Sequence, residues 1–98
     1  MAAEVSDIEV VDNPEQRRYE ALVDGEIAGY VFYHRRDDAV VVVHTEVADE
    51  FEGRGVGSRL VAAALDDIRS QGLSVVPVCP FTRGYIERHP EYADLVAP

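Results

Sequence analysis

The sequence predicts an α+β fold: a four-stranded, largely antiparallel meander, then a strand-loop-helix-strand unit and a short C-terminal helix. Three observations predict it. Turn residues divide the first half into short β-prone runs, the apolar period changes from two to 3.6 after Gly57, and alternate glycines stand where the two regimes meet. At 98 residues the chain is too short for two domains that each bury a core, so one domain over residues 1–98 is expected.

Ile8 to Val11 is a short apolar segment closed by Asp12, Asn13 and Pro14, and Arg17 to Val23 is a second run rich in Tyr, Leu and Val. Asp24-Gly25 is a hairpin signal, because a tight primed turn needs two residues that tolerate positive φ. The return strand, Glu26 to Arg35, alternates Ile27, Gly29, Val31 and Tyr33 against Ala28, Tyr30, Phe32 and His34. After the Asp37-Asp38 turn, Ala39 to Val47 holds five valines in nine residues and suits a central strand. Leu60, Val61, Ala64, Leu65 and Ile68 then form one face of an amphipathic helix that Gly72 ends. Leu73 to Val78 reads as a buried strand. Pro80 opens a helix over Phe81 to His89, and Pro90 stops it.

Composition excludes several function classes. All nine basic residues are arginine, and 19 acids leave a formal net charge of −10, which disfavours a nucleic-acid partner. Residues 1–52 hold 14 acids and four arginines, whereas residues 53–98 hold five of each, so an anionic ligand is directed to the C-terminal half. The longest apolar run, Ala39 to Val43, cannot cross a bilayer, and Glu4, Asp7 and Glu9 stand where a signal peptide needs positive charge. A soluble, cytoplasmic protein is expected. Cys79 is the only cysteine, so neither an internal disulfide nor an all-thiolate zinc site can form; His34 and His89 fall in no metal-ligand spacing, and no metal is expected.

The segment Glu52-Gly53-Arg54-Gly55-Val56-Gly57-Ser58 lies between the strongest strand and the strongest helix. Backbone N–H groups at a helix start have no intrahelical partner and attract phosphates. The glycines let the chain approach a ligand, Arg54 and Arg59 add positive charge, and a diphosphate fits. A plain tight strand-helix connection is the alternative. A P-loop needs a lysine, which the chain lacks, and a dinucleotide fingerprint starting at Gly53 needs glycine where Ser58 stands.

Val47 to Leu60, read through this loop, resembles the coenzyme-A pyrophosphate loop of the GNAT N-acetyltransferase superfamily, which runs Gln/Arg-x-x-Gly-x-Gly/Ala after the fourth strand. Gly55 and Gly57 match the family glycines, and Glu52 departs from the usual Gln or Arg. His44-Thr45-Glu46-Val47, Pro77-Val78-Cys79-Pro80-Phe81 and Tyr85 to Tyr92 extend the likeness to the short YjdJ-type branch. The resemblance implies a minimal GNAT-like fold, acetyl-CoA as co-substrate and an amine acceptor. It assigns the carrier to Val47 and Glu52 through Arg59, with main-chain N–H groups near His44 to Val47 facing the oxyanion. Larger members carry two N-terminal helices for which this chain has no room, so the acceptor site is open or completed by a partner; a monomer or weak homodimer is expected.

Within that frame Cys79, at a strand end and helix start, is placed where amide dipoles favour a thiolate. It is either a nucleophile, an acid-base group near the departing sulfur, or a small buried core residue. Tyr85 is a reserve general acid or a packed aromatic. His44 and Glu46, two apart on a strand, share a face and can accept the proton of an attacking ammonium, or else are hydrogen-bonded structural groups. Arg83 and Arg88 either help neutralise phosphates or are solvated helix charges. A non-catalytic coenzyme-A-binding sensor or protein-interaction module is the competing function.

Overall fold

The computed structural model describes residues 7–98; Glu4 lies outside them. Five strands form one sheet in the order β1 (Ile8–Asn13), β2 (Arg18–Val23), β3 (Glu26–Arg36), β4 (Ala39–Val47) and β5 (Ser74–Pro77). The first four run antiparallel, and β5 lies parallel to β4 because helix α1 (Val56–Ser70) returns the chain to the same end of the sheet. Helix α2 (Pro80–Arg88) follows.

The expected punctuation forms the turns. Asp24 and Gly25 both adopt positive φ, 52° and 79°, as the primed hairpin requires. Arg17, at φ 56°, occupies the left-handed region at the end of the β1–β2 connection, a conformation no residue pattern had marked. Helix α1 lays its predicted face on the sheet: Leu60, Val61, Ala64, Leu65 and Ile68 are buried in one cluster with Tyr19, Ala21, Val31, Val42 and Val75. Each large side chain withdrawn from water there contributes roughly 1.5–3 kcal/mol before the entropy of ordering is set against it.

Two bulges break the alternation read from β3. Ala21 and Leu22 pair with Gly29 and Ile27, which leaves Ala28 extra; Phe32 and Tyr33 pair with His44 and Val42, which leaves Val43 extra. A bulge inverts the facing of everything beyond it. Val40 and Val42 therefore share the α1 face with Val47, and His44 and Glu46 face the other way.

The second bulge also marks where the sheet opens. Strand β5 pairs with β4 only from Ala39 to Val42, and the Cys79 N–H bonded to Val42 O at 2.9 Å is the last link between them. From Val43 to Val47 no strand among the described residues borders β4 on that side.

The C-terminus adds structure beyond the sequence expectation. A 3-10 turn over Pro90–Leu95 is tied to α1 by Arg69, which donates to both Asp94 carboxylate oxygens, and by Tyr92, whose hydroxyl donates to Asp66 at 2.8 Å. Val96 then bridges Val75 in parallel, covering part of the outer edge of β5. Among the described residues no helix is long and apolar enough to cross a membrane.

Candidate active site

Two helix N-termini and the open length of β4 converge on one cleft of about 460 Å³. The chain leaves β4 through a 3-10 turn, Asp49–Phe51, whose Phe51 is buried and anchors the loop. Gly53 and Gly55 then take φ values of 77° and 81°. Gly55 is the N-cap of α1, and it caps with no side chain; the first turn holds no acid. The orphan amides at the start of α1 are thus left without a capping side chain at the positive end of the helix dipole.

Gly57 serves a different purpose. It already lies within α1, and a Cβ there would stand 3.0 Å from Phe81 Cζ. The contact brings the first turn of α1 against the first turn of α2.

Of the residues expected to hold a phosphorylated carrier, Val47, Glu52, Gly53 and Gly55 line the cleft, as do Val56, Gly57 and Ser58. Arg54 projects beside it, its guanidinium 5.7 Å from the Phe51 ring centre. Arg59 and Arg83 are exposed and form no part of the cleft wall, and Arg88 is likewise exposed at the far end of α2. Thr45, Phe51 and Phe81 line the cleft without having been singled out. Thr45 was legible as the same-face neighbour of Val47 on a strand. Phe81 carried a weaker signal, an aromatic directly after the helix-opening proline.

The candidate catalytic residues are dispersed around this cleft rather than gathered in it. His44 and Glu46 share a face, with Nε2 to Oε1 at 3.5 Å, and both are more than half exposed. They front the sheet face opposite Thr45 and Val47, where the His44 ring stacks on Phe32 at 6.3 Å. Cys79 is the N-cap of α2 and is 3% exposed. Its Sγ lies 3.4 Å from Thr45 Oγ1, which places the sulfur directly behind a cleft-lining side chain. Burial pushes the thiol up, but the polar groups of Thr45, Thr82 and Phe81 around it outweigh that cost and hold the group below its ordinary value.

Tyr85 is buried on α2, stacked on His89 at 4.0 Å and packed against Tyr92, and it does not line the cleft. Burial, with the Glu91 and Asp66 carboxylates adding to it, raises its phenol. Among the described residues no group of His, Cys, Asp and Glu is arranged to hold a metal ion.

A mixed sheet whose last two strands part beside a bare helix N-terminus is the arrangement that the sequence resemblance to acetyltransferases implies. The comparisons specify which. Residues 18–95 match the model of the GCN5-related N-acetyl-transferase family, and the chain belongs to that family. It is 27% identical to Protein NATD1 of Xenopus tropicalis over 97 residues, 95% of this chain and 89% of that protein. The solution structure of a GCN5-like protein from Staphylococcus aureus superposes with a TM-score of 0.69 at 23% identity, over 94% of this chain and 90% of the other. A ribosomal-protein-alanine N-acetyltransferase from Brucella melitensis shares the fold at TM-score 0.55 and 23% identity, over 83% of this chain and 61% of that one. Membership places the chain among the N-acetyltransferases.

Proposed function

We propose that the chain, as a single domain over residues 1–98, transfers an acetyl group from acetyl-CoA to an amine. The observation that carries this reading is the bare N-terminus of α1: a left-handed Gly55 cap, no capping side chain and no acid in the first turn, all opening on the cleft. Such an end takes an anion without any rearrangement, and the diphosphate of the carrier is held by the Gly53 to Ser58 backbone. The carrier's thiol arm lies along β4 between Val43 and Val47, where β5 has turned away and main-chain groups have no strand beside them.

Positioning does most of the work, because a thioester is already activated and orientation alone can supply ~7 kcal/mol or more. The amine nitrogen attacks the carbonyl carbon, a C–N bond forms and the C–S bond breaks. Main-chain N–H groups between His44 and Val47 receive the developing oxyanion. His44 and Glu46 take the ammonium proton from the opposite face of β4, the face on which the acceptor approaches. Cys79 enters in one of two roles, nucleophile or proton donor to the departing sulfur. The buried Tyr85 phenol takes no part. The ordered segments His44 to Val47, Pro77 to Phe81 and Tyr85 to Tyr92 support placement in the short YjdJ-type branch.

A second reading has its own support. Cys79 and Tyr85 are withdrawn from the cleft, as a coenzyme-A sensor or protein-interaction module would allow. Calorimetric titration with acetyl-CoA, followed by transfer of labelled acetyl to a panel of amines, separates the two. Binding without transfer would favour the sensor. No binding, and no thermal stabilisation where a ligand at about 100 times its dissociation constant adds roughly 2.7 kcal/mol, would remove both.

A further inference from the structure

We propose that Thr45 and Thr82 are positioning residues whose hydroxyls hold Cys79 as a thiolate. Cys79 stands at the N-cap of the nine-residue helix α2, with Pro80 first, Phe81 second and Thr82 third in the helix. A cap side chain faces the amides of the second and third residues, and Pro80 has no N–H to offer. Thr45 Oγ1 from β4 meets the sulfur at 3.4 Å, and the Phe81 and Thr82 amides lie near it at the start of α2 without forming a side-chain cap hydrogen bond.

Thr82 supplies the independent observation. It is 1% exposed, and its Oγ1 is the one buried side-chain N or O atom among the described residues that has no hydrogen-bond partner. That hydroxyl belongs to the third residue of α2, is among the polar groups that lower the thiol, and forms no hydrogen bond to the sulfur. An unpartnered buried hydroxyl is costly, and a thiol is a poor acceptor for it. A thiolate is an acceptor only, and both hydroxyls can donate to it. The shell is completed by negative charge on sulfur.

The leading causes that lower Cys79 are hydrogen-bond donors rather than charged side chains. Thr45, Phe81 and Thr82 are the groups that face it from β4 and α2, and hydrogen-bond donors alone offset the cost of burial. This distinguishes the site from thiolates held by Lys, Arg or protonated His, and it makes the stabilisation insensitive to salt. Thr45 has a second face, on the cleft, so the same hydroxyl that holds the sulfur borders the space proposed for the thioester. Of the two roles open to Cys79 under the proposed function, donors that favour the thiolate serve the nucleophile.

The test is the titration of Cys79 itself, read from its Cβ carbon shift by NMR or from thiolate absorbance with Cys79→Ser as the blank. Thr82→Val preserves shape and removes the donor. The expected result is a midpoint raised by about one unit, a roughly tenfold loss of thiolate below both midpoints, since a hydrogen bond to a charged group is worth about that much. Thr82→Ser restores the wild-type midpoint, Thr45→Val raises it independently, and moderate salt leaves it in place. A merely structural Thr82 predicts an unchanged midpoint in Thr82→Val, together with equal or greater stability, and that outcome overturns the proposal; so does failure of both Thr82→Ser rescue and the Thr45→Val shift. The readout needs no acetyl-CoA, so loss of the acetyltransfer reading leaves this result standing, and the reverse also holds.

Discussion

The two helices that meet at the cleft begin in opposite ways. Both lack a conventional side-chain cap, yet α1 starts from a left-handed glycine and opens its amides to the cleft, whereas α2 starts from Cys79, whose sulfur is buried. Under the two proposals above, the same physical resource, unpaired N–H groups at the positive end of a helix, serves an external anion in one case and favours an internal one in the other. They approach each other where Gly57 faces the Phe81 ring. The difference teaches that a bare N-terminus signals a ligand only when the residue before it leaves the end exposed.

The largest expected effect comes from closing the open terminus. Gly55→Val forces a β-branched residue to φ 81°, and the left-handed region alone costs about 1–2 kcal/mol, so coenzyme A binding measured by calorimetry should fall by about tenfold or more. Cys79→Ala, acting on the other terminus, should leave that affinity within about twofold, which is less than 1 kcal/mol. Equal losses would show that the two ends are not separate in function.

Gly57→Ala tests their junction. The added methyl meets the rim of the Phe81 ring at 3.0 Å, and that ring is 41% exposed and free to swing outward. Because Phe81 lines the cleft, affinity should drop by about threefold, an effect below 1 kcal/mol, with little change in thermal midpoint. A loss as large as that of Gly55→Val would mean that the helix termini move together.

Glu52→Gln should work in the opposite direction. Glu52 lines the cleft beside the amides that would receive the diphosphate, and it stands where the family usually carries Gln or Arg. Removing an exposed like charge is worth up to ~1 kcal/mol, so coenzyme A affinity should rise by about two- to threefold at low salt and converge with wild type as salt is added. An unchanged affinity at low salt would place the phosphates away from Glu52.

Much of this was legible before any coordinates. The strands, the Asp24-Gly25 turn and the α1 face follow from periodicity and turn chemistry, because those patterns are local and α1 buries the face its sequence dictates. The glycine loop was legible too, since its position between a valine-rich strand and an amphipathic helix is itself sequence information. What resisted reading depends on register. Nothing in Phe32, Val42 or Val43 announces the β4 bulge, yet that extra residue puts Thr45 on the cleft side and His44 with Glu46 on the other. Tyr85 likewise carries a helical periodicity that fixes its neighbours, and only the tertiary fold shows that the ring packs on His89 and Tyr92, away from the cleft. The C-terminal return of Val96 to Val75 is a non-local pairing that two residues cannot encode as a pattern.

The smallest effect separates the termini by pH. The glycine cap of α1 has no side chain to ionise, whereas the α2 cap is ionisable and its folded-state thiol titrates below its ordinary value. A group depressed by folding stabilises the folded state above its unfolded pKa, and loses that contribution as pH falls through its folded one. The stability of wild type relative to Cys79→Ser, from urea unfolding, should therefore be flat under acid conditions, climb as pH rises through the folded-state thiol range and level off above the ordinary cysteine value. A difference that stays level throughout would mean that the α2 amides hold the sulfur no better when it is charged, and the contrast between the two helix starts would reduce to exposure alone.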